Sequence, residues 1–179
     1  YQANTMDNGI GSADFGDDDG KPPEGEVVWK GTVKMPLEGQ FSGRAIQVYG
    51  PLVPKSIWPN LCRSSSELLI TGRISSTAST KYIYERLSKK SDIIVVEILP
   101  DSTPTSSAGF QKLVSYFSTK DRWAVIEKPK GKAFVKDFYL VPVPAGRQLL
   151  GFFSDLEGPL VPLSLESKRD RFFGVFILA

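Results

Sequence analysis

The chain has 179 residues, 41% of them hydrophobic, and a formal net charge of +2. It is long enough to bury a substantial core in one domain, and no apolar run approaches the roughly 18 residues of a membrane span. The single cysteine excludes an internal disulfide framework. The absence of histidine removes the usual base for a Ser or Cys nucleophile and the commonest zinc ligand.

Charge is distributed unevenly along the chain. Residues 1–26 contain seven carboxylates and one lysine, a net charge of −6, so residues 27–179 hold 13 carboxylates and 21 cations, a net charge of +8. The first segment has almost no apolar content and cannot offset the entropy of ordering itself. We expect a disordered acidic linker or tail over residues 1–26 and a basic folded domain over residues 27–179. The acidic start lacks the apolar core of a signal peptide, so we expect an intracellular, soluble protein.

Apolar runs predict about seven strands. In chain order they cover residues 27–35, 41–49, 67–75, 92–100, 123–126, 133–143 and 172–178. The fourth run is nearly continuous and β-branched, which is typical of a central strand buried on both faces. In the third run, alternation groups Leu68, Ile70 and Ile74 on one face and places Arg73 outward on the other. An exposed strand arginine commonly just covers apolar surface with its methylene stem.

The strand over residues 133–143 is expected to alternate in the same way. Phe138 and Leu140 share one face, and Val135, Tyr139 and Val141 share the other.

Helical spacing predicts two or three helices. Candidate N-caps at residues 75–80 begin one that runs to about Lys90. Another has a buried face of four large apolar residues spaced i, i+3, i+4 and i+7, and ends near Thr119. These four are Phe110, Leu113, Val114 and Phe117. Residues 101–108, rich in Ser, Thr and Pro, predict a loop, and residues 149–168 predict a segment that crosses the surface. The chain is therefore of the α+β class.

Positive charge is concentrated after the second helix. The six cations there are Lys120, Arg122, Lys128, Lys130, Lys132 and Lys136, against the three acids Asp121, Glu127 and Asp137. A helix C-terminus favours cations by roughly 0.3 to 1 kcal/mol, which is an ordinary explanation for Lys120 and Arg122 and also for Lys89 and Lys90. The excess of cations over acids in residues 120–137 favours an anionic partner.

Catalysis has little support in the sequence. The carboxylates of residues 27–179 are scattered singly among cations, and no Gly-rich phosphate loop follows a predicted strand. A Ser–Lys or paired-carboxylate site remains formally open, but we expect a protein that is not an enzyme and needs no cofactor or metal. Cys62 lies near Trp58 and Leu61 in an apolar stretch and is expected to be a buried, unreactive thiol.

Eight short motifs occur in a recognisable order. They are VVWKG at Val27, TGRIS at Thr71, YI at Tyr82, DIIVVEILP at Asp92, FQKLVSYFS at Phe110, DRWAV at Asp121, KDFYLVP at Lys136 and FFGVFI at Phe172. Over residues 27–179 this pattern resembles the SPOC domain (Spen paralogue and orthologue C-terminal domain), especially its subfamily in PHD-finger and elongation-factor-S-II-like transcription regulators.

The resemblance implies a distorted, seven-stranded, mostly antiparallel β-barrel with two to four helices. It also implies a non-enzymatic, monomeric domain of a larger nuclear protein that binds phosphorylated or acidic peptides. The partners implied are the phosphorylated heptad-repeat C-terminal tail of RNA polymerase II and, in the Spen branch, acidic corepressor tails.

Site residues carry over from the family motifs by position. The family arginine matches Arg73, its basic pair matches Lys120 and Arg122, and its tyrosine matches Tyr139, which would flank the peptide. Arg73 and Arg122 would clamp one phosphate, because the guanidinium fork fits phosphate oxygens. A different class of ligand, nucleic acid bound by the basic surface, would require many phosphate contacts and would usually use interleaved aromatic residues, which are not evident.

A second phosphate site is less complete. The family lysine that precedes the fourth strand falls on Ser91, so Lys89 or Lys90 would have to replace it. With Lys120 they would form a second group of cations, to which a peptide could present a phosphate one heptad away from the first.

Overall fold

The structure is a computed structural model that describes residues 25–88, 93–131, 134–149, 151–156 and 166–179. These residues form seven strands: β1 (Val27–Met35), β2 (Gly39–Tyr49), β3 (Glu67–Ser75), β4 (Ile93–Pro100), β5 (Arg122–Ile126), β6 (Val135–Val143) and β7 (Arg171–Leu178). The helices among them are α1 (Trp58–Leu61), α2 (Ser76–Ser88) and α3 (Pro104–Thr119), with 3-10 turns at Lys55–Ile57 and Gly151–Asp155.

The strands close into a barrel. Its order is β1-β2-β4-β7-β6-β5-β3. Neighbouring strands are antiparallel except β1 and β3, which pair in parallel through Thr32–Lys34 and close the ring. The predicted fold class, a distorted and mostly antiparallel seven-stranded barrel with helices, is confirmed.

Two hydrophobic clusters lie on the two faces of the barrel wall. The inner cluster takes side chains from all seven strands and from α1 and α3; its largest fully buried side chains are Phe41, Phe117, Phe138, Phe172 and Phe176. The outer cluster joins the other face of β4, β6 and β7 to α2 and the second 3-10 turn; it includes Ile83, Val95, Trp123, Tyr139 and Phe173. Strand β4 is therefore buried on both faces, as its continuous apolar run predicted.

Register shifts correct two of the predicted strand faces. Pairing shifts between Val135 and Asp137 in β6, so Val135 joins the inner cluster with Phe138 rather than sharing the face of Tyr139. Pairing also shifts between Ile70 and Gly72 in β3, so Ile74 packs on the outer cluster. An extra residue in one strand turns over every side chain that follows it. Strict alternation therefore fails across such a bulge.

Helix α3 begins earlier than its apolar spacing predicted. The Thr103 side chain accepts a hydrogen bond of 3.2 Å from the Ser106 amide, and Pro104 lies in the first turn. Threonine is a favoured N-cap and proline is tolerated at the first helical position, so residues predicted as a loop start the helix. The four apolar residues of its predicted face are all buried.

Residues 151–156 do not simply cross the surface as expected. Phe152 and Phe153 are buried in the outer cluster. Residues 157–165 lie outside the described part of the chain. Cys62 is buried as predicted, and burial raises the pKa of its thiol to about 12. Within the residues that the structure describes, no helix is long and apolar enough to span a membrane.

Candidate functional site

Arg73 and Arg122 are brought together by the pairing of β3 with β5. Arg73 lies opposite Ala124, and Ser75 lies opposite Arg122. The two arginines are therefore diagonal neighbours on the same side of the ladder, a relation that places Cα atoms about 7 to 8 Å apart. Both side chains are exposed. The register therefore places these two predicted site residues beside each other on the barrel, and their role in binding stays a prediction.

Tyr116 on α3 lies between Arg73 and Lys120. The Nη1 atom of Arg73 donates a hydrogen bond of 2.6 Å to the Tyr116 hydroxyl. The Lys120 ammonium lies over the same ring, 4.9 Å from its centroid, within the range of a cation–π contact. The ring itself packs edge-on against Phe117, with centroids 5.0 Å apart. A single aromatic side chain anchored on the core therefore orients two cations.

The corner that carries Lys120 and Arg122 is held by its backbone and by α2. Asp121 has a positive φ of 52°, its amide donates to the Ser118 carbonyl (3.2 Å), and its carbonyl accepts from the Ser76 amide (3.2 Å). The Asp121 carboxylate accepts a hydrogen bond of 2.6 Å from the Ser76 hydroxyl. The Asp121 carboxylate is therefore hydrogen bonded to the start of α2, although Lys120 and Arg122 are its neighbours in sequence.

The cations of this surface have no carboxylate partner among the residues that the structure describes. Ion pairs elsewhere in the described chain join Arg63 to Glu127, and Arg169 and Arg171 to Glu97. Arg73, Lys120 and Arg122 take part in none of them. We call Arg73, Tyr116, Lys120 and Arg122 the basic face.

Tyr139 is not part of this face. It is only 6% exposed and its ring lies 6.0 Å from that of Trp123 in the outer cluster. Burial, and then the charge of Asp137, raise the pKa of Tyr139 above its usual value. Tyr82 on α2 donates a 2.8 Å hydrogen bond to Asp137 as well, and burial with this bond raises the pKa of Tyr82 to about 12. Because α2 lies on this side of β6, little of Tyr139 is exposed to flank a peptide, contrary to the expectation from the resemblance.

Comparison with known proteins identifies the family. The family model described as "SPOC domain" matches residues 19–178. The chain belongs to the SPOC domain family. It is 30% identical over 154 residues to Transcription factor bye1 of Schizosaccharomyces pombe, covering 86% of this chain and 20% of that protein. It is also 30% identical over 136 residues to PHD finger protein 3 of Homo sapiens, covering 75% of this chain and 6% of that protein.

A solved structure supports the same assignment. The crystal structure of the SPOC domain of human PHD-finger protein 3 superposes with a TM-score of 0.72 at 27% identity, covering 86% of this chain and 97% of that one. The chain spans a fifth or less of the length of the two curated relatives that it matches. The likeness therefore concerns one domain of larger proteins.

This SPOC domain holds the predicted site residues in three different situations. Arg73, Lys120 and Arg122 form the basic face, and Tyr139 is buried. Lys89, Lys90 and Ser91 lie outside the described residues, so the second phosphate site stays a prediction. Tyr116 was missed by the sequence analysis. Its local signal is an i, i+4 spacing to Lys120, which places the two side chains on one side of the helix end.

Proposed function

We propose that this SPOC domain is a non-enzymatic phosphopeptide-binding module of a nuclear transcription regulator. Its proposed ligand is the phosphorylated heptad-repeat C-terminal tail of RNA polymerase II, with one phosphate bound between Arg73 and Arg122. The similarity to a transcription factor and to a PHD finger protein supports the setting. The observation that carries the proposal is the basic face itself, in which three exposed cations stand together without a carboxylate partner in the described chain.

The chemistry of this face suits a phosphate monoester. Two guanidinium groups can each present a planar fork of N–H donors to phosphate oxygens, and such charge-assisted bonds are about twice as strong as neutral ones. Arg73 uses Nη1 to donate to Tyr116. Its remaining N–H groups are left for a ligand, and its position is fixed before binding. A preoriented side chain loses less conformational entropy when the ligand binds.

Lys120 extends the same face. Its ammonium is held against the Tyr116 ring, where an ammonium behaves as a compact charge rather than as a directional fork. In the proposal it attracts the peptide backbone or a flanking acidic group, and together with Lys89 or Lys90 it receives a phosphate placed one heptad from the first.

Substitution of Arg73 tests this function. We expect Arg73→Ala to weaken binding of a phosphorylated heptad peptide by about 1.5 to 3 kcal/mol, roughly tenfold to 150-fold, since a charged hydrogen-bonding partner is lost. Arg73→Lys should restore only part of the affinity, because an ammonium lacks the planar fork. Dissociation constants come from fluorescence anisotropy, with melting temperatures measured to show that each variant folds.

A matched control is available on β1. Lys30 is exposed and lies toward the opposite end of the parallel β1–β3 pair from Arg73. Lys30→Ala should leave the affinity unchanged. If Arg73→Ala folds and binds as tightly as the parent protein, Arg73 is not a ligand residue and the proposed site is wrong.

A further inference from the structure

A groove lies beside the basic face, between α2 and the adjoining ends of β5 and β6. Its volume is about 470 Å³. One wall is formed by Thr77, Lys81 and Tyr84, which recur at i, i+4 and i+7 and so share one face of α2. The opposite wall is formed by the end of β6 and the residues that follow it, within residues 142–148, and Trp123 also lines the groove. Arg122 belongs both to this groove and to the basic face.

The groove is positively charged. Lys81, Arg122 and Arg147 line it, and all three are exposed. Across the described ranges, no side-chain hydrogen bond or ion pair joins any of the three to another residue. Asp121 is the carboxylate among the lining residues, and it is hydrogen bonded to Ser76. The charge of this groove is therefore complementary to an acidic ligand.

The wall that carries Arg147 is fixed by backbone hydrogen bonds. The Arg147 amide donates to the Pro144 carbonyl (3.1 Å), and its carbonyl accepts from the Ser167 amide (3.0 Å). The amide of the preceding residue, Gly146, donates to the Ser167 carbonyl (2.6 Å). Since α2 forms the other wall, both sides of the groove are ordered elements, and the groove exists before any ligand binds.

Apolar surface lies among these charges. The ring of Tyr84 is 43% exposed and packs edge-on against Phe152, and Pro142 and Pro144 are partly exposed on the facing wall. A ligand that fills the groove therefore meets cations together with aliphatic and aromatic surface. A peptide with acidic groups separated by apolar residues matches this arrangement better than a regular polyanion does.

We propose that the groove binds a second phosphorylated residue of the same peptide, placed two to four residues from the phosphate held by Arg73 and Arg122. This inference rests on the proposed function. Arg122 is shared by the two surfaces, so a peptide bound at the arginine pair can continue into the groove without leaving the protein. Lys81 and Arg147 then receive the second phosphate, and the residues between the two phosphates lie against Tyr84 and the prolines.

The spacing follows from the size of the groove. Extended chain advances about 3.3 to 3.6 Å per residue, so two to four residues cover roughly 7 to 14 Å. Lys81 and Arg147 line the same groove of about 470 Å³ as Arg122, which favours a short spacing of this kind. Seven residues would cover roughly 23 to 25 Å and carry the second phosphate beyond it. The groove therefore predicts a closer spacing than the one-heptad spacing expected for Lys120 with Lys89 and Lys90.

Synthetic peptides of one sequence test the inference. The set contains an unphosphorylated peptide, one with a single phosphoserine, and three with a second phosphoserine three residues before, three residues after or seven residues after the first. Each is titrated against the parent protein, the groove variant Lys81→Ala/Arg147→Ala and the control variant Lys30→Ala/Lys34→Ala, in which both lysines are exposed on β1. Melting temperatures accompany the dissociation constants.

We expect the parent to bind one of the closely spaced peptides at least tenfold more tightly than the singly phosphorylated peptide. The groove variant should lose that gain while keeping its affinity for one phosphate within about threefold, and the control variant should keep the gain. Equal affinity of the parent for single and close double phosphorylation, or a gain that survives in the groove variant, overturns the inference and leaves the proposed function standing. If the parent does not distinguish the singly phosphorylated from the unphosphorylated peptide, the proposed function fails and the inference fails with it.

Discussion

Tyr116 shows what an individual residue adds to a set of cations. Sequence motifs identified Arg73, Lys120 and Arg122, but the side chain that connects two of them lies on a different element, 43 residues along the chain from Arg73. Its hydroxyl accepts from Arg73 and its ring lies under Lys120. Without it, both long side chains would lose more conformational entropy on binding a ligand. We therefore expect Tyr116 to contribute to affinity by positioning the two cations.

Two substitutions at Tyr116 separate its ring from its hydroxyl. Tyr116→Phe keeps the ring beneath Lys120 and should weaken phosphopeptide binding by roughly 0.5 to 1.5 kcal/mol, the net contribution of one hydrogen bond. Tyr116→Ala removes both contacts and should cost more. The measurement is the dissociation constant of each variant, with a melting curve because Tyr116 also packs on Phe117. Full parental affinity in a folded Tyr116→Ala variant would show that these contacts do not position the ligand-binding cations.

Tyr139 shows what strand alternation does not predict about a single residue. The pattern correctly separated Tyr139 from Phe138 and Leu140, which lie in the inner cluster. Alternation, however, assigns a face and does not say whether another element covers it. Here α2 packs over that face, with Tyr82 and Tyr139 both engaged by Asp137. Exposure therefore depends on tertiary packing, which a local pattern does not contain.

At the scale of elements, strands and buried helix faces were predictable because each carries its own hydrophobic period. The barrel closure was expected only from the family resemblance, because the hydrophobic period does not show where bulges bend the strands. Pairing shifts register at four places, in the β1–β2, β2–β4, β3–β5 and β6–β7 pairs. The start of α3 was missed for a different reason: Ser, Thr and Pro favour both loops and the first turn of a helix, and only the cap contact of Thr103 decides between them.

The acidic segment of residues 1–26 is proposed to be a linker or tail outside the barrel. Deleting it, so that the chain begins at Val27, should leave the melting temperature unchanged to within about 2 °C, a change of under roughly 1 kcal/mol for a domain of this size. The reason is that pairing of β1 with β2 begins at Val27, opposite Ile46. A chain in which a Gly/Ser linker of equal length replaces the segment is the control for the new terminus. A fall of ten degrees or more would mean that the segment packs on the barrel.

For the whole molecule, the central question is what kind of anion the basic domain selects. Residues 27–179 carry a net charge of +8, and a basic surface attracts nucleic acid as well as phosphopeptides. Binding dominated by nucleic-acid phosphates weakens steeply with salt, because each contact releases counterions. Recognition of one or two phosphates by oriented arginines should depend less on salt and strongly on phosphorylation. The two ligand classes therefore give different results in the same experiment.

The most direct test is one titration of the parent protein with three ligands at two salt concentrations. The ligands are a two-heptad polymerase-tail peptide carrying phosphoserine, the same peptide without phosphate, and an RNA of matched length. We predict that the phosphorylated peptide binds at least tenfold more tightly than either of the others, and that this order is kept at the higher salt concentration. Tighter binding of the RNA, or equal binding of the two peptides, would contradict the proposal that this SPOC domain is a phosphopeptide-binding module.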